Sequence, residues 1–209
     1  MLAVLAAGSA PAMAEPTLPG QLYSFGLNTF GQLGRMSNLG SETPSPTPGL
    51  VTLPGATGAV VQISAGGSHT LLVTSSGQLY SFGSNFYGQL GSETSSPTHA
   101  NATASLVTLP PSASGGVIAA AAGQSFSLAL TASGQLYTFG ENQYGQLGLA
   151  TNAGNESANP NPQLVTLPGG AGPVTQIAAG EAFSLALTSS GRLYAFGIGR
   201  DAGVRAHSL

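Results

Sequence analysis

The sequence has 209 residues, a formal charge of −3, four Arg, no Lys and seven acidic residues, so that only 5% of it is charged against about 25% in an average domain. Because binding to nucleic acid or to an anionic membrane surface depends on clustered Lys and Arg, this composition predicts neither kind of partner. The absence of Cys excludes disulfides and thiolate metal sites.

The first fourteen residues resemble the end of a secretory signal peptide. Residues 2–7 form a short apolar run, and residues 12–14 place small side chains where a signal peptidase requires them. Cleavage is expected before Glu15, although the usual positively charged start of such a peptide is missing. An ordinary flexible apolar tail is the alternative. The first interpretation predicts an exported protein, secreted or extracytoplasmic, with a mature domain over residues 15–209.

A repeat then occupies nearly all of the remaining chain. Residues 77–91 read GQLYSFGSNFYGQLG, and close copies begin at residues 20 and 134, with a shorter copy at 191, so that the step is 57 residues each time. A unit that recurs at a fixed period is an architectural element. The predicted units are residues 20–76, 77–133 and 134–190, followed by a partial unit at 191–209.

Each unit predicts about four short strands. Residues 62–65 form a strand that ends at a glycine, and residues 126–131 alternate large and small side chains as a strand with one packed face does. Ser76-Gly77 then predicts a tight hairpin turn, and residues 79–82 the returning strand, closed by Gly83.

The fourth strand is predicted at the sequence LVTLP, which begins at Leu50, Leu106 and Leu164. Its proline suits the end of a strand. The polar stretches before it, residues 35–49, 92–105 and 149–163, are predicted to be surface loops. Four short strands in a unit of this size are typical of a propeller blade.

These units resemble the regulator-of-chromosome-condensation repeat. In the second unit the resemblance is carried by Ala65-Gly66, His69-Thr70, Ser76-Gly77, Tyr80, Phe82-Gly83 and residues 85–91. It implies an all-β protein, a seven-bladed β-propeller of which this chain holds about three complete blades plus part of a fourth. Phe replaces the family's common Trp before the glycine. The pattern fails after Gly197, as at a truncated or frame-shifted end, so we expect self-association through open propeller edges.

The resemblance and the residues together predict no catalytic, cofactor or metal site. His69 is interpreted as packing, because its counterparts are Phe126 and Phe183. The repeated glycines are predicted to be structural: Gly26, Gly31, Gly34, Gly83, Gly88, Gly91, Gly140, Gly145 and Gly148.

One repeated feature is a candidate binding surface. An aromatic stands in each Asn-x-x-Gly-Gln-Leu-Gly segment, and loop aromatics can form a contact surface for a protein or sugar. The alternative is that these rings pack between neighbouring blades. The candidate residues are Phe30, Phe86, Tyr87 and Tyr144.

Three functions follow as hypotheses. The first is an exported, non-catalytic scaffold that binds an unidentified protein partner through its propeller loops, with an inhibitor-like role as one version. The second, by family analogy, is a guanine-nucleotide exchange factor or GTPase regulator. The third is a secreted lectin-like or hydrolase propeller, which would need carboxylates or a consistent aromatic and polar cluster on one face.

Overall fold

A computed structural model describes residues 21–93, 100–170 and 172–198 of the chain. The described residues form thirteen strands in four sheets, and none of these residues belongs to a helix long and apolar enough to cross a membrane. Blade 1 contains β1 (Leu22–Gly26) and β2 (Ser45–Val51). Blade 2 contains β3 (Val60–Ala65), β4 (His69–Thr74), β5 (Leu79–Gly83) and β6 (Asn101–Leu106). Blade 3 contains β7 (Val117–Ala122), β8 (Phe126–Thr131), β9 (Leu136–Gly140) and β10 (Gln163–Leu164). Blade 4 contains β11 (Val174–Ala179), β12 (Phe183–Thr188) and β13 (Leu193–Gly197).

Within each blade the strands pair antiparallel in chain order, as four-stranded propeller blades do. The all-β prediction and the partial propeller of three to four blades are confirmed. Each 57-residue unit straddles two blades: residues 77–133 supply β5 and β6 to blade 2 and then β7 and β8 to blade 3. Neighbouring blades are therefore linked by one continuous repeat.

The first three strands of blades 2, 3 and 4 lie where the sequence predicts them, but the prediction for the fourth strand of a blade was wrong in its bounds. β2 begins at Ser45 and β6 at Asn101, inside stretches predicted to be loops, and each ends before the proline of LVTLP. Pairing with the preceding strand extends them, since Gly26 pairs with Ser45 and Gly83 with Asn101. The outermost strand has a free edge, which is why β2 tolerates two internal prolines.

The hydrophobic core lies between the blades rather than inside any one of them. Leu71 and Val73 of blade 2 pack with Tyr137 and Phe139 of blade 3 in a single buried cluster. Alternate residues of each strand thus face opposite neighbours. A blade with a neighbour on only one side must leave half of these side chains uncovered.

Blade 1 shows this effect clearly. Phe82 in blade 2 and Phe139 in blade 3 are 1% and 0% exposed, whereas Phe25 at the same repeat position is 66% exposed. At the other end Phe183 is exposed, although its counterpart Phe126 is fully buried. Both ends of the described array therefore present open blade faces.

Polar contacts also join the innermost strands of blades 2 and 3. The Gln62 side chain donates from Nε2 to the Ala120 carbonyl at 3.2 Å and accepts from the Ala120 amide at 2.8 Å. The Ser64 hydroxyl accepts a bond from the Ala122 amide at 3.0 Å. β3 and β7 belong to separate sheets and share no strand pairing, so these side chains supply the hydrogen bonds between them.

The repeated tyrosine of the third strand shows how one inserted residue changes a buried contact. Tyr80 and Tyr194 donate from their hydroxyls to the carbonyls of Pro54 and Pro168, at 3.0 and 2.8 Å. Among the described residues, the buried Tyr137 hydroxyl has no partner. The turn after LVTLP is one residue longer in the preceding unit, residues 77–133, and the Pro110 carbonyl there accepts a bond from the Ala113 amide instead.

We therefore expect Tyr80→Phe and Tyr137→Phe to have different effects on stability. Tyr80→Phe removes a formed buried hydrogen bond and should lower the free energy of unfolding by about 1 kcal/mol, whereas Tyr137→Phe removes only an unsatisfied hydroxyl and should be neutral or stabilising. Urea denaturation followed by circular dichroism measures both, with Tyr194→Phe as a second case of the first kind. Equal losses for Tyr80→Phe and Tyr137→Phe would contradict the assignment.

Candidate functional site

One end of the propeller carries the long connections between the third and fourth strands of blades 1, 2 and 3, whose described residues are 27–44, 84–93 with 100, and 141–162. The short turns between first and second strands, residues 66–68, 123–125 and 180–182, lie at the same end. Backbone bonds join the two sets, from the Ser84 amide to the Ser68 carbonyl at 2.8 Å and from the Glu141 amide to the Ser125 carbonyl at 3.0 Å. We call this end the loop face.

Each long connection is organised by its buried asparagine. The Asn142 side chain accepts a bond from the Leu147 amide at 3.0 Å and donates to the carbonyls of Leu149 and Thr151 at 3.0 and 2.7 Å. Asn28 and Asn85 make equivalent bonds. The sequence prediction included this asparagine in the motif without assigning it a role, although its recurrence at 57 residues is a signal that could have identified it.

A hydroxyl on the next blade holds each connection in place. Thr70, Ser127 and Ser184 donate to the carbonyls of Gln32, Gln89 and Gln146 at 2.9, 2.8 and 2.7 Å respectively. All three acceptors belong to the Gly-Gln-Leu-Gly part of the motif. The connections are therefore tied to their neighbours at matching points, which makes the loop face a preorganised surface.

All nine glycines predicted to be structural have positive φ angles. They are Gly26, Gly31, Gly34, Gly83, Gly88, Gly91, Gly140, Gly145 and Gly148. In a positive-φ conformation a glycine avoids the penalty that a side chain would incur. Some of these glycines also lie against the next blade, Gly88 among them.

The candidate aromatics lie on the loop face, and three of the four are exposed. Phe30, Phe86 and Tyr144 are 47%, 59% and 46% exposed, and Tyr87 is half-buried. The rings of Phe86 and Tyr87 make an edge contact, with centroids 4.9 Å apart. This exposure favours a contact surface over packing between blades for the three exposed rings, and their role in binding stays a prediction.

The structure brings carboxylates to the same place. Glu141 and Glu156 both lie in the connection of blade 3, near Tyr87 of blade 2. Burial, and then the negative charge of Glu156, raises the pKa of Glu141. Burial, followed by the charges of Glu141 and Glu156, raises the pKa of the Tyr87 hydroxyl.

His69 lies inside the protein, in keeping with its interpretation as packing. Its Nε2 is 2.9 Å from the Ser127 hydroxyl, which itself donates to the Gln89 carbonyl, so the imidazole carries its proton on Nε2. Burial lowers the pKa of His69 from 6.5 to about 4, and the backbone of Phe126 offsets part of this effect. The described residues contain no group of three His, Asp or Glu side chains that could hold a metal ion.

Two sequence predictions concern residues outside the described ranges. They are the signal peptide at residues 1–14 and the altered end of the fourth unit.

Comparison with protein families adds an independent observation. The model of the regulator of chromosome condensation (RCC1) repeat matches three times, at residues 19–73, 76–130 and 133–187. Among curated proteins, the chain is 37% identical over 194 residues to the protein RCC2 homolog of Xenopus laevis, covering 85% of this chain and 34% of that protein. It is 36% identical over 187 residues to the human probable E3 ubiquitin-protein ligase HERC3, covering 86% of this chain and 16% of that protein.

Solved structures with the same fold include two proteins at comparable identity. Human WBSCR16 is 25% identical with a TM-score of 0.76, over 92% of this chain and 48% of that one. Prp20p from Saccharomyces cerevisiae, a structure described together with its binding to Gsp1p and histones, is 25% identical with a TM-score of 0.65, over 85% of this chain and 39% of that one. The chain thus spans about a third or less of the curated relatives named here.

Proposed function

Because the chain belongs to the family of RCC1-repeat proteins, we propose that it is a non-catalytic interaction module that binds a protein partner through its loop face. The observation that carries this proposal is the exposure of Phe30, Phe86 and Tyr144 in three successive connections whose other motif residues are largely buried. Large exposed rings on a rigid support contribute strongly to protein interfaces. The proposal includes export, which rests on residues 1–14 of the sequence alone.

Regulation of a small GTPase is the second candidate. It is favoured by similarity to Prp20p, which was described with its binding to Gsp1p. The three connections of this chain are close to one another in length, so none of them contains an insertion that could enter a GTPase.

Enzyme functions of relatives are a separate matter. The E3 ligase activity in the name of HERC3 belongs to a protein of which this chain matches only 16%. A lectin-like or hydrolase function has support only from the rings and carboxylates shared by the loop face.

The proposal also includes self-association through the open blade faces. Tyr23 and Phe25 of blade 1 are exposed, while blade 4 presents Phe183. Their counterparts Phe126, Tyr194 and Phe196 share one cluster between blades 3 and 4, so the open face of blade 4 in one copy can pack on the open face of blade 1 in another. Light scattering over a range of protein concentrations tests this part: a strictly monomeric chain would contradict it.

We expect a loop-face variant to lose a partner that the parent protein retains. The triple variant Phe30→Ser, Phe86→Ser, Tyr144→Ser removes the exposed rings, and these solvent-facing positions should tolerate the changes with little loss of stability. The measurement is cross-linking and mass spectrometry of proteins captured from the source organism, followed by direct binding of the purified partner.

The matched control removes exposed apolar side chains from another surface. Val61 and Ile118 are exposed on the innermost strands of blades 2 and 3, away from the loop face. The variant Val61→Ser, Ile118→Ser should keep the partner. A partner that binds the triple variant as tightly as the parent chain would contradict the proposal.

A further inference from the structure

The charged groups of the described residues are distributed very unevenly between the two ends of the propeller. Five carboxylates belong to described residues, and all five lie in connections or turns of the loop face. They are Glu42, Glu93, Glu141, Glu156 and Glu181. Since each blade contributes at least one of them, the negative charge is spread across the face rather than confined to one loop.

Neither described arginine pairs with one of these carboxylates. Arg35 uses its guanidinium within blade 1, where it donates to the carbonyls of Ser24 and Thr47 at 3.2 and 3.3 Å. Arg192 lies in the hairpin turn at the opposite end of blade 4 and donates to the Gly169 carbonyl. Within the described ranges none of the five carboxylates has an arginine partner, and the chain has no lysine. Among the described residues the five carboxylates outnumber Arg35, the one arginine in these connections and turns, so this part of the loop face carries a net negative field.

Exposed rings and carboxylates are neighbours between blades 2 and 3. Phe86 and Glu93 line one cavity of about 220 Å³, together with Ala158 and Pro160 from the connection of blade 3. The Asn161 side chain donates to the Glu93 carboxylate at 2.6 Å, which holds this carboxylate beside the cavity. Phe86 in turn contacts the ring of Tyr87. The charges of Glu141 and Glu156 contribute to the raised pKa of the Tyr87 hydroxyl.

We propose that the loop face binds a basic segment of the partner protein, in which Arg or Lys side chains stack on the exposed rings and pair with the surrounding carboxylates. A cation placed over an aromatic face is attracted by the ring, and a carboxylate next to that ring strengthens the attraction. Single exposed ion pairs contribute little, but a face of one sign steers and orients a partner of the opposite sign. This inference rests on the proposed function and adds the chemical class of the partner.

The test uses fluorescein-labelled 12-residue peptides and the purified full chain. One peptide alternates Arg with Gly, the second has citrulline at each Arg position, and the third has Glu there. Fluorescence anisotropy at low salt should detect binding of the Arg peptide only. Raising the salt concentration from about 0.05 to 0.3 M should weaken that binding several-fold, because screening shortens the range of the field.

Two variants locate the binding on the loop face. Glu93→Gln, Glu141→Gln, Glu156→Gln removes three charges while keeping side-chain shape, and should weaken binding of the Arg peptide about tenfold or more. Phe86→Leu keeps apolar bulk but removes the ring, and should weaken binding a few-fold. Arg192→Gln, at the opposite end, should leave it unchanged.

Several results would overturn the proposal. They are equal binding of all three peptides, unchanged binding by the triple Gln variant, and binding that is insensitive to Phe86→Leu. If the Arg peptide does not bind, but the triple variant Phe30→Ser, Phe86→Ser, Tyr144→Ser still loses the captured partner, the inference of a basic partner is wrong. The proposal of an interaction module is then still supported. If the Arg peptide binds as expected, but the captured partner binds the triple ring variant as tightly as the parent chain, the proposed function is contradicted instead.

Discussion

The Gly88→Ala variant is expected to lose about 3 kcal/mol or more of unfolding free energy. A Cβ at this position would lie 2.5 Å from the backbone nitrogen of Pro160 and 2.7 Å from the Asn159 carbonyl carbon, in the connection of the next blade. That connection cannot move away without losing bonds, because the Asn159 amide donates to Tyr87 at 3.0 Å and its side chain donates to Gly140 at 2.8 Å. The positive φ of Gly88 adds a further penalty of about 1–2 kcal/mol.

Gly145→Ala is the matched control. Gly145 has the same repeat position and a φ of 77° against 84° for Gly88, but among the described residues nothing lies within 4 Å of its Cβ position. It should lose only the conformational part, about 1–2 kcal/mol. Urea denaturation of both variants measures the difference. Similar losses would mean that contact between blades does not determine the need for glycine at position 88.

The second large effect is a loss of stability in mild acid that depends on His69. Burial holds the pKa of His69 at about 4 in the folded protein, against 6.5 for an ordinary histidine. Between these values the unfolded chain binds a proton that the folded chain excludes, so the free energy of unfolding falls as the pH decreases from about 6.5 to 4. Above pH 6.5 this term is constant. At 1.36 kcal/mol per unit, the full change is about 3 kcal/mol.

His69→Phe separates this effect from the titration of carboxylates. Phenylalanine occupies the same repeat position at Phe126, where it is fully buried, so the site has a shape that accepts the ring. The difference in urea midpoint between the parent chain and the variant should be constant above pH 6.5 and should change in favour of the variant on going to pH 4. A difference that does not vary with pH would show that His69 titrates normally.

Strand positions were predictable because the three copies of the unit share one structure, so that a misleading local preference in one copy is corrected by the other two. Residues 119–122 favour a helix by propensity alone, yet their counterparts at 62–65 and 176–179 do not, and all three are strands. The fourth strand was less predictable. Its start at Ser45 or Asn101 depends on pairing with a glycine about twenty residues earlier, and its own residues carry no alternating pattern.

The candidate site, like the strands, was only partly predictable from the sequence. The aromatics were found from the sequence because they recur within a motif. The carboxylates were not associated with them, because Glu93, Glu141 and Glu156 occupy different positions in different units. Their shared location follows from the topology, which sends every connection after a third strand to the same end of its blade.

By itself the sequence determined the repeat, the glycine turns and most strands, since these depend on local φ preferences and on periodicity within a few residues. Only the tertiary structure decided which copies of a repeated residue are buried and which groups share a surface. Tyr80 and Tyr137 are one residue type at one repeat position, but only the first has a partner for its hydroxyl. Glu93 and Asn161, 68 residues apart, meet beside Phe86. Such outcomes depend on contacts between blades, where a single inserted residue or a missing neighbour changes the environment of an otherwise identical side chain.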